Sequence, residues 1–107
     1  MEKTKLHTFI GFAIKARKAK LGVNAVKTLK KADVLIVCST ASENTLKEAV
    51  SLSKKLFAKL YVLKEIKLED IVFKESCKLI AVYDKNLSKA IIECNSCHLE
   101  EYFGGLL

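Results

Sequence analysis

The sequence contains no proline and no tryptophan, and two of its four glycines stand together near the C-terminus. Linkers rich in proline or glycine are therefore absent, and no shift in composition divides the 107 residues into separate units. Half of the residues are hydrophobic, which is enough for one buried core, so the chain is not itself a disordered tail or a linker. This composition predicts one globular domain.

Long hydrophobic runs are also missing. Even Val34–Cys38, one of the longest, is far shorter than the roughly 20 residues that span a bilayer. At the N-terminus, His7, Thr8 and Lys15 interrupt the hydrophobic positions, so we expect no signal peptide. The sequence predicts a cytoplasmic protein with no membrane partner, whose four cysteines are reduced thiols.

Acidic residues are outnumbered, with 12 against 19 basic residues and a formal net charge of +7. In so small a domain this balance favours a polyanionic partner, and nucleic acid is the commonest one. Arg17 is the only arginine, so the excess consists of lysines. Lysines supply point charges for phosphates rather than the bidentate base contacts of arginine. A general bias towards lysine in the source genome would give the same excess.

Histidine is scarce, with His7 on the predicted first helix and His98 near the C-terminus. Neither stands with a nucleophile and an acid in a pattern that indicates a catalytic triad. No glycine-rich phosphate-binding motif occurs, which argues against nucleotide binding. Asp84 follows a predicted strand, where acids often do chemistry, but a helix cap explains it more simply. We expect that the protein is not an enzyme and that it has no catalytic residue, no cofactor and no small-molecule substrate.

Residues 94–98 read Cys-Asn-Ser-Cys-His, the spacing at which c-type haem is attached. Haem attachment takes place outside the cytosol, and Met1 is the only methionine that could be a distal ligand. A zinc site needs a fourth ligand, whereas Cys38 and Cys77 lie in or before predicted strands. Chance spacing or packing is the third explanation, and we predict no metal site.

The hydrophobic pattern alternates between helical spacing and short continuous runs typical of buried strands. In chain order we predict a helix at 6–14, a very short strand at 20–21, a helix at 23–31, a strand at 34–38, a helix from 40 to 57, a strand at 60–63, a short helix near 68–72, a strand at 79–83 and a helix at 87–94. This alternation predicts an α/β fold with a small sheet covered on both sides. The chain opens on a helix, which argues against a Rossmann domain.

The ends and inner faces of two helices carry further predictions. Thr40 and Glu43 match the S/T-x-x-E capping box and would open the third helix. Asp84 or Asn86 would cap the last helix. The inner face of the third helix would carry Leu46, Ala49, Val50, Ser53 and Phe57. The expected core comprises Val34, Ile36, Val37, Leu60, Val62, Ile80 and Val82, covered by Ile10 and Val50.

Polar residues recur at helical spacing just after Gly22. Asn24, Lys27, Thr28 and Lys31 stand at i, i+3, i+4 and i+7, which would place them on one face of the second helix. An amide with several ammonium groups can hold a phosphate backbone and contact a base edge. A lysine-rich helix face is also commonly just solvated.

From residue 6 to about residue 92, the order of these segments resembles the kink-turn-binding ribosomal proteins. This superfamily contains the archaeal protein "L seven Ae", the eukaryotic protein "L thirty e" and small bacterial relatives of uncertain role. The likeness to the bacterial relatives rests on residues 12–22, a helix followed by a basic turn and a glycine, and on residues 41–45, which match Ala-Ser-x-Asn-Thr. The resemblance implies a three-layer α-β-α sandwich with a four-stranded mixed sheet. It assigns residues 1–92 to an RNA-binding domain and 93–107 to a C-terminal extension.

The resemblance also implies binding of a helix–bulge–helix RNA at the start of the second helix. In the family this segment reads Gly-x-Asn-Glu-x-x-Lys, and its polar side chains contact sheared G·A pairs. Gly22 and Asn24 match the motif, whereas Ala25 replaces the glutamate and Thr28 the lysine. Lys27 stands one residue early, which rotates its charge by about 100° around the helix.

The predicted function is that of a non-catalytic RNA-binding protein that recognises structured, kink-turn-like RNA and is associated with the ribosome. The alternative is a protein-interaction domain on the same fold with weak or lost RNA specificity. The predicted RNA-binding residues are Lys15, Arg17, Lys18, Lys20, Gly22, Asn24, Lys27, Thr28, Lys31, Ser42 and Asn44.

Overall fold

The structure is a computed structural model, and it describes residues 5–64, 78–93 and 99–101. They form a mixed sheet between two layers of helices, so the predicted α/β class is confirmed. The elements are α1 (Lys5–Lys15), β1 (Ala19–Leu21), α2 (Val23–Val26), β2 (Val34–Cys38), α3 (Glu43–Lys55), β3 (Lys59–Leu63), β4 (Leu79–Val82), α4 (Lys85–Glu93) and β5 (Leu99–Glu101).

The strands follow the order β1-β4-β2-β3-β5 in the sheet. β2 and β3 are parallel and are joined through α3, whereas the other three pairs are antiparallel. The four strands β1 to β4 make the mixed sheet that the resemblance implies. β5 adds a fifth strand at the edge, where Leu99 pairs with Leu63 of β3. Part of the predicted C-terminal extension therefore belongs to the sheet.

β2 and β4 are buried along their whole length because helices cover both faces of the sheet. Ile36 and Ile80 contribute to a cluster with residues of α1 and α4. Leu35 and Leu79, one residue away in each strand, contribute to a second cluster with residues of α2 and α3. The alternation of side chains across the sheet thus produces three layers with two hydrophobic cores.

Most of the predicted core is buried, but two positions are not fully so. Val62 and Val50 are half-buried and pack at the margin of the cluster beneath α2 and α3. Val62 lies in β3, near the edge of the sheet, where the helix layer covers it less completely.

The second helix is much shorter than predicted, because α2 ends at Val26 instead of near Lys31. Beyond Val26 the backbone tightens, and the N–H of Thr28 donates to the carbonyl of Ala25, three residues earlier. The Thr28 hydroxyl donates to the same carbonyl at 2.6 Å. Such side-chain bonds to the local backbone compete with a continuing helix. The predicted extension to Lys31 is therefore wrong.

Ser42 rather than Thr40 caps α3. The N–H of Thr45 donates to the Ser42 hydroxyl at 3.1 Å, and the helix begins at Glu43. The Thr40 hydroxyl is engaged elsewhere, since it accepts a bond from the Lys78 ammonium at 2.8 Å. The predicted capping box is therefore wrong by two residues.

α3 ends in a left-handed turn that helical periodicity does not reveal. Phe57 has a φ of 55°, and the N–H of Ala58 donates to the carbonyl of Ser53 at 2.9 Å. This is the Schellman pattern of helix ends. The turn directs Phe57 away from the core, and the residue is 93% exposed. The prediction that Phe57 lies on the inner face of the helix is therefore wrong. Leu52 and Leu56 are buried there instead.

Several predictions lie outside the described residues. They concern the short helix near 68–72, the cysteine and histidine motif at 94–98 and the segment 102–107.

Ile36→Ala should lower the free energy of unfolding by about 2–5 kcal/mol, because it leaves a cavity at a fully buried position in the central strands. Chemical denaturation measures this loss. Lys47→Ala on the exposed side of α3 is the control and should change stability by less than about 0.5 kcal/mol. An effect of Ile36→Ala as small as the control would show that β2 is not in the core.

Phe57→Gly should raise the free energy of unfolding by about 0.5–1 kcal/mol. The left-handed conformation costs a non-glycine residue roughly 1–2 kcal/mol, and glycine removes this cost. Glycine also has more conformational freedom in the unfolded chain, which cancels part of the gain in stability. Phe12→Gly is the matched control, because Phe12 is also exposed but lies within α1. There glycine should destabilise by about 1 kcal/mol. Equal destabilisation by both substitutions would contradict the turn at Phe57.

Candidate nucleic-acid interface

The register of β1 against β4 distributes the predicted site residues between two ends of the sheet. At one end the N–H of Gly22 donates to the carbonyl of Leu79 at 2.8 Å. At the other end the N–H of Tyr83 donates to the carbonyl of Lys18 at 3.0 Å. Lys18 and Gly22 are four positions apart along an extended strand, which corresponds to roughly 13 Å. We call the two ends the Gly22 end and the Lys18 end.

The Gly22 end brings together predicted residues from two distant segments. β1 and β2 both run antiparallel to β4, so both leave the sheet at this end. Each continues into a helix, and α2 and α3 pack side by side on the same face. Asn24 and Asn44 are consequently exposed in the first turns of neighbouring helices, with the Ser42 cap beside them.

Gly22 makes the sharp turn from β1 into α2. Its φ of 87° lies in the region that side chains other than glycine rarely adopt. An added Cβ would meet no atom within 4 Å, so the backbone angle rather than crowding requires glycine. This turn presents Asn24 directly after the strand.

The Lys18 end holds the basic turn after α1. Arg17 has a φ of 58°, and the N–H of Lys18 donates to the carbonyl of Ala13 at 2.8 Å, which closes a Schellman turn. The Tyr83 hydroxyl donates to the Arg17 carbonyl at 2.5 Å and ties the turn to the end of β4. Lys15, Arg17 and Lys18 are all exposed around it.

Lys20 lies between the two ends, in the middle of β1. Ala19 and Leu21 pack against the cluster beneath α1 and α4, so alternation turns Lys20 towards the opposite face, where it is exposed. β1 is one of the two edge strands of the sheet that the described residues form, and β5 is the other. A ligand lying along the β1 edge would meet Lys18, Lys20 and Gly22 in succession.

The predicted polar face of the second helix is not formed. Asn24 lies within α2, Lys27 is its C-cap, and Thr28 belongs to the turn that follows. Lys31 lies beyond that turn, next to the start of β2 and therefore towards the Lys18 end. The expected arrangement of these four residues on one helix face is wrong because α2 has only four residues.

Lys27 and Thr28 are also engaged within the protein. The Lys27 ammonium lies 3.5 Å from the Glu48 carboxylate of α3, and both side chains are about half exposed. Such a surface pair adds little stability, but it offsets a charge that the sequence suggests for phosphate binding. The Thr28 hydroxyl bonds the Ala25 carbonyl.

Lys78 is a cation of the Gly22 end that the sequence analysis missed. It directly precedes β4, and its carbonyl accepts the N–H of Cys38 at 2.8 Å. A single lysine before a hydrophobic strand is an undistinctive signal, and only the register reveals its position beside Gly22.

Asp84 has the structural role of a cap, as predicted. Its carboxylate accepts the N–H of Leu87 at 2.9 Å in the first turn of α4. In the described part of the chain, no group of three or more histidine, cysteine or acidic residues is arranged to hold a metal ion. None of the helices in those same ranges has the length and hydrophobicity to cross a membrane.

No family model and no curated protein matches the chain. A solved structure titled "The structure of a protein with unknown function from Bacillus halodurans C" is similar to it, with a TM-score of 0.70 and 22% sequence identity. The match covers 86% of this chain and 97% of that chain. At this identity the likeness shows the fold alone. The resemblance to kink-turn-binding ribosomal proteins stays a prediction.

Tyr83→Phe should lower the free energy of unfolding by about 0.5–1.5 kcal/mol, the net contribution of one hydrogen bond. It should also accelerate amide hydrogen exchange at Lys18, whose N–H closes the turn that the Tyr83 hydroxyl holds. The Gly22 amide, at the other end of β1, is the internal control. Unchanged exchange at both amides, or equal acceleration at both, would contradict a local role for Tyr83.

Proposed function

We propose that the protein is a non-catalytic RNA-binding protein that contacts structured RNA along one continuous surface. This RNA face begins at residues 22–24 and 42–44, passes Lys20 on the edge strand and ends at the basic turn of residues 15–18. The observation that carries the proposal is the pairing of β4 with both of its neighbours. Its register with β1 aligns residues 15–22 along one edge of the sheet, and its antiparallel pairing with β2 brings residues 42–44 to the Gly22 end.

The chemistry of the RNA face differs between its two ends. The Gly22 end carries amide and hydroxyl groups, which can both donate to and accept from base edges. The edge strand and the Lys18 end carry exposed ammonium and guanidinium groups, which suit phosphates. A duplex strand carries a phosphate about every 3.4 Å, so the roughly 13 Å edge can face on the order of four of them. Base contacts at one end and phosphate contacts along the edge would fix the register of a bound RNA.

The preference for kinked RNA should be modest. The kink-turn-binding family has a glutamate at the position of Ala25 and a lysine at the position of Thr28. Ala25 has no polar side chain, and Thr28 carries no charge. The charge of Lys27 is offset by Glu48. Base recognition then depends mainly on Asn24 and its neighbours on α3. We place this RNA in the cytoplasm and propose structured ribosomal RNA as its class.

A protein-interaction domain is the second candidate. The exposed Phe57 at 93% and Phe12 at 53% favour it, because large exposed aromatic side chains often mark protein contacts. They lie on opposite layers, however, since α1 and α3 pack on different faces of the sheet. The ratio of absorbance at 260 and 280 nm after purification at low salt discriminates between the candidates. Protein free of nucleic acid would favour the interaction domain.

Asn24→Ala should reduce the preference for a helix–bulge–helix RNA with G·A pairs over a plain duplex by roughly 1–3 kcal/mol. Lys18→Ala and Lys20→Ala should instead weaken binding to both RNAs alike, and each should flatten the salt dependence by about one unit. Fluorescence anisotropy titrations of the two RNAs at two salt concentrations measure both quantities. Lys55→Ala, in the last turn of α3 and therefore at the end of that helix opposite to Ser42 and Asn44, removes one exposed charge and is the control.

The double substitution Ala25→Glu and Thr28→Lys extends this experiment. It restores the polar groups of the resembling family and should sharpen the preference for kinked RNA if the turn at Gly22 presents the same site. Equal affinities for both RNAs in the wild type, in Asn24→Ala and in the restored variant would rule out this base-reading site. Absence of binding to either RNA would rule out the proposed function.

A further inference from the structure

We propose that Lys78 provides the phosphate-binding cation of the Gly22 end, with Thr40 as the residue that positions it. The inference rests on the proposed function and deepens it, because it names a contact that the motif of the second helix does not contain. Its basis is the position of Lys78 in the sheet and the hydrogen bond of its ammonium.

The sheet order places Lys78 between the two segments that form the Gly22 end. β4 lies between β1 and β2, and Lys78 directly precedes β4. Gly22 pairs with Leu79, the next residue, and the N–H of Cys38 donates to the Lys78 carbonyl itself. Lys78 is therefore within one residue of the strand ends that lead into α2 and α3.

The Lys78 side chain is held at the rim of the sheet. Its ammonium donates to the Thr40 hydroxyl at 2.8 Å, and this hydroxyl lies 3.0 Å from the thiol of Cys38. Because the Thr40 oxygen accepts from the ammonium, its own proton is available for the sulfur. Cys38 is buried, so this chain of contacts anchors an exposed hydroxyl and the ammonium to the core.

Other cations are less well placed to act at this end. Lys27 is the C-cap of α2 and lies at the end of that helix away from Gly22. Lys20 lies in the middle of β1, and Lys64 follows β3, which is separated from β1 by two strands. Lys78 thus brings a positive charge next to Gly22 from a segment more than 50 residues along the chain. An ammonium with three donor positions can keep its bond to Thr40 and still bind a phosphate oxygen.

Lys78→Met removes the charge and keeps most of the aliphatic stem. We expect affinity for the helix–bulge–helix RNA to fall about fivefold to tenfold and the salt slope to decrease by about one unit, as for one lost phosphate contact. Lys78→Arg keeps a cation at the site and should retain most of the affinity. Lys59→Met is the matched control. Lys59 is exposed at the start of β3, at the end of the sheet opposite to the Gly22 end, and its loss lowers the net charge equally.

Thr40→Val separates positioning from charge. It removes the acceptor of the Lys78 ammonium but no charge, so affinity should fall by a smaller factor of about two or three while the salt slope stays that of the wild type. Circular dichroism and chemical denaturation establish that each variant is folded before titration.

The outcomes distinguish this inference from the proposed function. If the wild type binds RNA and Lys18→Ala weakens it, but Lys78→Met behaves like Lys59→Met, the assignment of Lys78 is wrong and the RNA face stands. If Lys78→Arg binds RNA as weakly as Lys78→Met does, the positive charge is not what Lys78 contributes, and the assignment is again wrong. If the wild type binds no RNA, the proposed function itself fails.

Discussion

The pairing of β4 with strands on both of its sides is the constraint on which the rest of the structure depends. Leu79–Val82 is buried on both faces, and β1 and β2 pair with it along both edges. Because both neighbours run antiparallel to β4, the chain leaves β1 and β2 at the same end of the sheet. That direction brings Gly22 and Ser42 together although they are 20 residues apart in the sequence. A slip of β4 by one residue would exchange its two buried faces and separate these segments.

Sequence analysis predicted the α/β class and the approximate positions of the described strands, except β5, because hydrophobic runs report burial directly. It failed where a local hydrogen bond or a backbone angle overrides periodicity. Thr28 bonds the Ala25 carbonyl and ends α2 early, and Phe57 continues the helical spacing while its backbone is already left-handed. Capping was mistaken for a similar reason, since Thr40 and Ser42 are both plausible caps until Lys78 is seen to engage Thr40.

The candidate site was less predictable than the fold, because it depends on strand register, which is a long-range property. Asn24 and Asn44 belong to separate motifs, and nothing in their local sequence indicates that both begin neighbouring helices at one end of the sheet. The basic residues around Arg17 looked like a continuation of the same site, yet the register moves them to the opposite end of β1. Lys78 was missed because its significance comes entirely from its strand neighbours.

The distribution of charge bears on how an RNA would be recognised. The resembled family has glutamate and lysine where this chain has Ala25 and Thr28, so a site limited to α2 would leave Asn24 without electrostatic support. In the folded chain, positive charge reaches this region from β1 and from the residue before β4, while Glu48 offsets Lys27 on α2. Phosphate contacts spread over separate strands position a backbone without reading its sequence. Under the proposed function, this distribution of charge favours recognition through the path of the RNA backbone, with a small contribution from base edges at the Gly22 end.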